Sequence, residues 1–524
     1  MKLLNLTNSR PLDVHKWSQH PRIRQITHTI YSEIKDLPKK PSDQVKLKKM
    51  LRVLLIDLFV AYKEDPTLYI AYSRRKADYT DKRDDKNNII KSRYRALYIK
   101  YAPLKRAIEH LIQYEYIEHH MGFYDKSKGA GKQSRMRASQ RLISIFKRRI
   151  INRYAIGNNK EYELIRLNNK AKGKKYSVEY TDTPETHAMR NNVKRINYYL
   201  SQFNINLHLS NKEEEKLEFN VPFTQKSLYR VFNNGSFESG GRFYGGWWLS
   251  LPNREEKLRQ FITINEEHTV ELDYSCMHIS MLYSKKKLSL SGDAYTLEGY
   301  PSKSRKLIKS TFNAMINAKS NKLSSKKFDL SLLPEGKTFN DLKSDILAKH
   351  KPIAEYFFSG IGIKLQLIDS NIAESVMLRV LDELNYEDRK DIVLLPVHDS
   401  FIISTKNAYL LAELTDIMKE EFCRIVKNVS IEDVFIKAEK IKKGSPYKEF
   451  QTNYYKKMGI KLPATQEQEA KCLKQYQQEY SNYLKRNQEW KSFIKDNPVK
   501  TNLQMETLSV QILNSCKKLP FISK

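Results

Sequence analysis

Two segments of the 524-residue chain have the same form, an apolar strand that ends in an aspartate. One is His268-Thr-Val-Glu-Leu-Asp273-Tyr274-Ser275. The other is Ile392-Val-Leu-Leu-Pro-Val397-His398-Asp399-Ser400, followed at once by Phe401-Ile402-Ile403. In the second, apolar runs flank His-Asp-Ser so closely that a tight hairpin is predicted, with Asp399 at its turn. Aspartates at adjacent strand ends can share hard cations through oxygen ligands. Two Mg²⁺ ions held that way, or Mn²⁺ in their place, would activate an attacking hydroxyl and neutralise a leaving pyrophosphate in an in-line displacement. Between the two strands, residues 304–318 read SRKLIKSTFNAMINA. Arg305 and Lys309 lie four apart, so on a helix they share a face, with Lys306 close by. The arginine supplies a planar fork and the lysine a point charge, a pairing suited to a triphosphate. An isolated basic pair of this spacing is more commonly a solvated face, so its meaning comes from its place between the aspartates.

That order resembles motifs A, B and C of family A nucleic-acid polymerases, the group of DNA polymerase I and the phage-type single-subunit RNA polymerases. Asp273-Tyr274-Ser275 is similar to the D-Y-S opening of the DNA-polymerase motif A. His398-Asp399-Ser400 resembles the H-D-S of the phage-type RNA enzymes, where the DNA enzymes have H-D-E. Gly241-Arg242-Phe243-Tyr244 lies where the RNA enzymes carry a G-R-V-Y-like segment. Gly292-Asp293-Ala294-Tyr295 resembles the D-x-H/Y step after motif A, and Ser370 to Leu381 is similar to the long helix before motif C. The resemblance covers about residues 235–405, a third of the chain. It implies that Asp273 and Asp399 are the catalytic, metal-binding carboxylates. It implies that Arg305 and Lys309 clamp the triphosphate, Lys309 also protonating the departing pyrophosphate. Tyr274, His278 and Asn317 would border the nucleotide, His398 would pack beside the primer end, and Arg242 and Tyr244 would meet template or product.

The departures from that pattern carry information too. Where motif B continues with an aromatic and a Tyr-Gly, this chain has Asn313 and Asn317-Ala318. Five residues after Asp273, where the DNA enzymes place a Glu that blocks a ribose 2′-hydroxyl, stands His278. Its ring has the bulk to exclude that hydroxyl, and its N–H can instead hydrogen-bond one. Asp-Tyr-Ser with a bulky gate favours DNA synthesis, His-Asp-Ser favours RNA synthesis, and the balance leans slightly to deoxynucleotides. Only 126 residues separate Asp273 from Asp399, so the fingers are expected to be small. No D-x-E pattern of a proofreading exonuclease precedes residue 235.

The elements that must position these groups sit in a strongly basic chain: 93 Lys+Arg against 60 Asp+Glu give a formal charge of +33, which calls for a polyanionic partner. A 40% hydrophobic share excludes wholesale disorder. Four scattered cysteines with no CxxC pair suggest a reducing, cytoplasmic setting. No signal peptide is read at the N-terminus, and no run of 18 apolar residues predicts a membrane span. From Ser42 to Asp65 the spacing predicts a helix with Met50, Val53, Leu54, Ile56, Leu58 and Phe59 buried. Leu104, Ala107, Ile108, Leu111 and Ile112 form a second apolar stripe, and Tyr116-Ile117-Glu118 and Met136-Arg137-Ala138 read as strands around a basic loop. Helix, strand, basic loop, strand resembles a winged helix-turn-helix. Residues 121–150 carry nine Lys/Arg against the single Asp125, and Lys126, Lys128, Lys132, Arg135 and Arg137 would reach phosphates from the wing. GAGK at 129–132 is not a P-loop, because the upstream glycine position is Lys126 and Gln133 follows the lysine.

The expectation is therefore an α+β protein: a right-hand polymerase palm on an antiparallel sheet, small helical fingers, and a mostly helical N-terminal region containing a winged helix-turn-helix. The segments are expected at 1–150 (nucleic-acid binding), 151–234 (helical, thumb-like or connecting), 235–445 (palm and fingers) and 446–524 (a basic helical extension). The expected activity is template-directed nucleotidyl transfer on a template–primer duplex, DNA favoured, from nucleoside triphosphates. The alternatives are a phage-type RNA polymerase and, from another class, a non-catalytic replication initiator or regulator with a decayed palm.

Overall fold

A computed structural model describes residues 8–80, 82–83, 89–90, 92–94, 99–125, 127, 130–149, 156–158, 162–171, 173–207, 225–251, 258–265, 267–290, 292–383, 392–405, 408–438, 451, 454–455, 458–460, 462–475 and 478. The chain divides into two compact units: Met1–Tyr72 with Pro103–Gly157 and Lys443–Lys524, and Ser73–Ala102 with Asn158–Lys442. Among the described residues no helix is long and apolar enough to cross a membrane.

In the first unit, strand β1 (Ser9–Pro11) precedes helices α1 (Pro21–Ser32) and α2 (Pro41–Glu64). Pro41 supplies the preset first-turn φ of α2, and Asp65 leaves the helix in extended conformation ahead of Pro66. The predicted apolar positions of α2 are all buried, and so is Asp57 among them. Its carboxylate accepts hydrogen bonds from the Arg10 guanidinium at 2.7 and 3.0 Å and from the Asp13 amide at 2.9 Å. A buried charge persists only with such partners. Strand β2 (Tyr69–Tyr72), helix α3 (Tyr101–Gln113) and strands β3 (Ile117–His120), β4 (Phe123–Asp125), β5 (Ala130–Lys132) and β6 (Ser134–Ala138) follow, then helix α4 (Gln140–Arg148). The sheet order is β1-β2-β6-β3, with β3 antiparallel to β6 from Ile117↔Ala138 to His120↔Arg135 and β4–β5 a separate hairpin. The α3 stripe buries Leu104, Ala107, Ile108 and Leu111. Ile112 differs from the expectation and is exposed, because i, i+3, i+4 and i+7 already complete the buried face and His110 occupies its margin.

Among its described residues the second unit carries two sheets of four or more strands. Strands β7 (Ile165–Ala171) and β8 (Lys174–Ser177) precede helix α5 (Pro184–Gln202), which starts in a Thr183/Thr186 capping box. Next come β9 (Ile205–Leu207), β10 (Tyr229–Asn233), β11 (Ser236–Tyr244), β12 (Ile262–Ile264) and β13 (Glu267–Tyr274). Helices α6 (Met277–Lys285), α7 (Arg305–Asn317), α8 (Phe339–Lys349) and α9 (Gly362–Glu383) lead to β14 (Leu395–Val397), β15 (Ser400–Ser404), α10 (Ala408–Ile425) and β16 (Ile436–Ala438). One sheet runs β8-β7-β10-β11; the other runs β9-β12-β13-β15-β14, with β16 paired to the end of β13. All pairs in the second sheet are antiparallel. The protein is thus a mixed helix–sheet fold with an antiparallel sheet at the place where the two aspartates lie. Within 151–234, expected to be helical, the structure has α5 together with strands β7, β8, β9 and β10, and of the extension expected at 446–524 only residues 451, 454–455, 458–460, 462–475 and 478 are described.

Candidate active site

Strand alternation decides which side chains of β13 face outward. Val270, Leu272 and Tyr274 are buried at 3–4% exposure, so Glu271 and Asp273 share the other, half-buried face. Tyr274, expected at the nucleotide, points into the core, and its hydroxyl donates to the Met418 carbonyl at 2.6 Å. Across the sheet Asp273 pairs with Ser400, and His398-Asp399 is the two-residue turn that joins β14 to β15 through the Val397↔Ser400 pair. The Tyr274 amide donates to the Asp399 carbonyl at 3.2 Å, which ties the turn to the end of β13. On the other edge Asp273 pairs with Lys437 of β16, and the Ser275 amide donates to Phe435. The strand end is thereby clamped from both sides. The Ser400 hydroxyl donates to Glu271 at 2.5 Å, and Arg259 pairs with the same carboxylate at 3.2 Å. His398 takes φ +57°, a left-handed conformation that costs a non-glycine residue roughly 1–2 kcal/mol. It is exposed at the turn, yet atoms crowding the ring, with the charge of Arg242 near it, push its basicity below the ordinary histidine value.

A second cluster stands beside the turn. Gly240 and Gly241, at φ +84° and +79°, make an irregular bend in β11 against β10. A side chain at Gly241 would meet the Phe232 ring and the Ser370 hydroxyl at 2.9 Å, so the bend requires glycine. It aims Arg242 at Asp369 of α9, with Nη2 and Nε donating at 2.5 and 3.1 Å. The Asp369 carboxylate is fully buried, and His278 Nε2 also meets it, at 2.9 Å. Cys276, in left-handed conformation (φ +58°), turns the chain from β13 into α6 and so presents His278 two residues later. Below them the buried Arg230 guanidinium donates to the Gly241 carbonyl at 2.7 Å, Asn371 at 2.8 Å and Glu374 at 2.9 Å, locking β10 and β11 to α9.

Helix α7 forms the third side. Leu307, Ile308, Thr311, Phe312, Met315 and Ile316 are buried, which leaves Arg305 and Lys309 exposed on one face as the i,i+4 spacing predicts. Arg305 forms a two-point pair with Asp293, at 2.7 and 2.9 Å, which holds the Asp293 carboxyl well below the usual range. Arg305 and Lys309 both lie over the Tyr295 ring, at 5.3 and 5.7 Å from its centre. Tyr295 is buried, which pushes its hydroxyl strongly upward. The Cys276 thiol is also raised by burial, although Lys309 draws it down. The loop holding Asp293 to Tyr295 is pinned by His350, whose ring accepts from Tyr283 at 3.0 Å and donates to the Ala294 carbonyl at 2.9 Å. Asn317 stands at the far end of α7, about 18 Å along its axis from Arg305, with its amide bonded back to Asn313. It is not brought to this cluster.

The predicted residues thus divide. Asp273, Asp399 and His398 meet at the strand ends; Arg242 and His278 meet on Asp369; Arg305 and Lys309 share the Tyr295 face. Tyr244 is 38% exposed and its ring stacks on Tyr229 at 6.2 Å. In the first unit Lys132 and Arg135 lie on or beside the β4–β5 hairpin, and Arg137 is engaged by Glu118 at 2.6 Å. Lys126 and Lys128 lie outside the described residues. Sequence reasoning missed Asp369, Glu271 and His350, and gave Tyr295 no role beyond its place in the Gly292–Tyr295 segment. Only Glu271 had a signal, its i−2 position from Asp273 on an alternating strand. Among the described residues no group of three or more His, Cys, Asp or Glu side chains is gathered to hold a metal ion. Two carboxylates still fit Mg²⁺, which takes one or two of them and completes its oxygen shell with water and substrate phosphate. No family model matches the chain, and no curated protein is detectably similar to it.

Proposed function

We propose that the second unit is a polymerase-like palm with small fingers, and that the protein is a nucleotidyltransferase of the family A type, extending a DNA primer from deoxynucleoside triphosphates. The observation that carries the reading is the register of the central hairpin: Asp273 stands opposite Ser400, and Asp399 occupies the turn next to it. Two oxygen donors on adjacent strand ends, beside a helix face bearing Arg305 and Lys309, suit a triphosphate entering between them. Asp273 and Asp399 would hold Mg²⁺, whose bound form supplies charge neutralisation and a more acidic hydroxyl. Lys309 donates to the pyrophosphate oxygens, and its ammonium is placed to give up a proton as they depart. Arg305 releases Asp293 to grip the phosphates. His278, anchored on Asp369, presents a fixed ring edge where the sugar would lie, which supports exclusion of a 2′-hydroxyl. The β2-β6-β3 order with α3 and a basic hairpin supports a winged-helix role for the first unit in holding nucleic acid.

The test is incorporation of labelled dNTPs and NTPs on a primed template with Mg²⁺ or Mn²⁺. Deoxynucleotide extension that His278→Ala opens to ribonucleotides supports both the activity and the gate, and exclusive ribonucleotide products would transfer the protein to the RNA-synthesising alternative. One observation favours the second class, a non-catalytic DNA-binding initiator: Arg305 is closed on Asp293 rather than free. No product with any nucleotide or metal, alongside intact DNA binding, would select it.

A further inference from the structure

Among the described residues of the first unit, the most exposed aromatic side chains sit together on the β4–β5 hairpin. Met121, Phe123 and Tyr124 are 63, 63 and 68% exposed. Phe123 and Tyr124 are consecutive on a strand, so they face opposite sides of the ribbon. Phe123 pairs with Lys132 and Tyr124 with Gly131. The ribbon is built to keep those rings out. Two close backbone approaches fix it: a side chain at Gly122 would strike the Lys132 carbonyl at 2.3 Å, and one at Gly131 would meet the Phe123 carbonyl at 2.6 Å and the Tyr124 ring at 2.9 Å. The Gly122 amide also donates to the Ser134 hydroxyl at 2.9 Å, closing the base of the hairpin. Two rings are therefore held in water on a short stiff ribbon, where they gain nothing for the fold.

The chemistry around the rings says what they meet. Lys132 shares a face with Phe123, and Arg135 follows on β6. Aromatic rings flanked by cations suit a strand whose bases offer flat faces and whose backbone offers phosphates. Residues 121–134 contain no Leu, Ile, Val or Trp, which argues against insertion into a bilayer. We propose that the hairpin stacks Phe123 and Tyr124 on unpaired bases while Lys132 takes a neighbouring phosphate, so that the first unit prefers a single-strand/duplex junction to continuous duplex. This rests on the nucleic-acid role proposed above for the same module, and it adds a shape preference that phosphate contact alone does not give.

The test uses full-length protein, a primer–template DNA carrying 2-aminopurine in its single-stranded part, a fully paired duplex, and phosphatidylserine–phosphatidylcholine vesicles. Wild type is expected to bind the junction more tightly than the duplex and to change the 2-aminopurine fluorescence. F123A/Y124A is expected to lose that change and about 10- to 100-fold of junction affinity, with the dependence on salt unaltered. Lys132→Ala is expected to keep the fluorescence change and to lower the salt slope by about one. Both rings are surface-exposed, and thermal melting checks that each variant folds. Junction binding and fluorescence by F123A/Y124A equal to wild type would overturn the stacking while leaving phosphate binding in place. Full rescue by F123L/Y124L would overturn it too, since leucine cannot stack. Wild-type protein that ignores both DNAs would overturn this proposal and the nucleic-acid role together, as would ring-dependent binding to the vesicles instead.

Discussion

Asp369→Asn removes one charge from a fully buried position and keeps its shape, so it isolates what that charge does. The carboxylate receives the Arg242 fork at 2.5 and 3.1 Å and His278 at 2.9 Å. Removing one partner of a buried pair costs about 3–5 kcal/mol. The Arg242 side chain is 19% exposed and asparagine can still accept one hydrogen bond, which brings the expected loss to about 2–3 kcal/mol. In a unit of this size that corresponds to about 5 °C in melting temperature. Arg242→Met in the same chain removes the orphaned cation, so the double variant should recover much of the loss. Scanning calorimetry on the wild type, the two single variants and the double variant gives the coupling directly. Should Asp369→Asn melt within about 1 °C of wild type, or the two losses simply add, the buried pair is not what holds β11 to α9.

Three further outcomes are expected. His350 is 1% exposed, hydrogen-bonded as the neutral ring, and burial lowers its basicity to about 4. The unfolded histidine, near its ordinary value of about 6.5, takes up a proton first, so stability is full above that pH and falls as pH drops towards 4. The loss is about 3 kcal/mol, and His350→Gln should flatten the slope in denaturant titrations. Gly241→Ala must hold φ +79° and push its methyl against Phe232 and Ser370, with an expected loss of about 2–5 kcal/mol in the same titrations. Lys309→Ala should lower the incorporation rate by about 100-fold with little change in melting temperature or DNA affinity, because its side chain is exposed on α7 and the contact of its ammonium with the Tyr295 ring, at 5.7 Å, is weak at an exposed site.

The local elements were largely legible. The strand ending at Asp273, the turn at His398-Asp399, α2 and α7 occupy the expected positions, because period-2 and period-3.6 burial patterns survive in segments whose one face is core. The strands about the basic loop were placed within two or three residues for the same reason. What stayed hidden were polar residues that act through partners far along the chain. Asp369 sits among Ile368, Ser370 and Asn371, and nothing local distinguishes it from a solvated helix acid until Arg242 and His278 are beside it. Asp57 is similar, buried by Arg10 and Asp13 from a strand and loop more than forty residues earlier. Tyr274 was assigned by its neighbour's motif, whereas alternation turns it to the opposite face of the strand. Asn317 was assigned by motif position, yet thirteen residues of helix separate the two ends of α7.

The central claim is that Asp273 and Asp399 together support nucleotidyl transfer. Primer extension by wild type and Asp399→Asn, on one primed template with Mg²⁺ and all four dNTPs, tests it most directly, with DNA binding and melting temperature measured on the same samples. The expected result is extension by wild type and a loss of about 1000-fold or more in the variant, with binding and stability retained. Extension by Asp399→Asn at the wild-type rate would contradict the account.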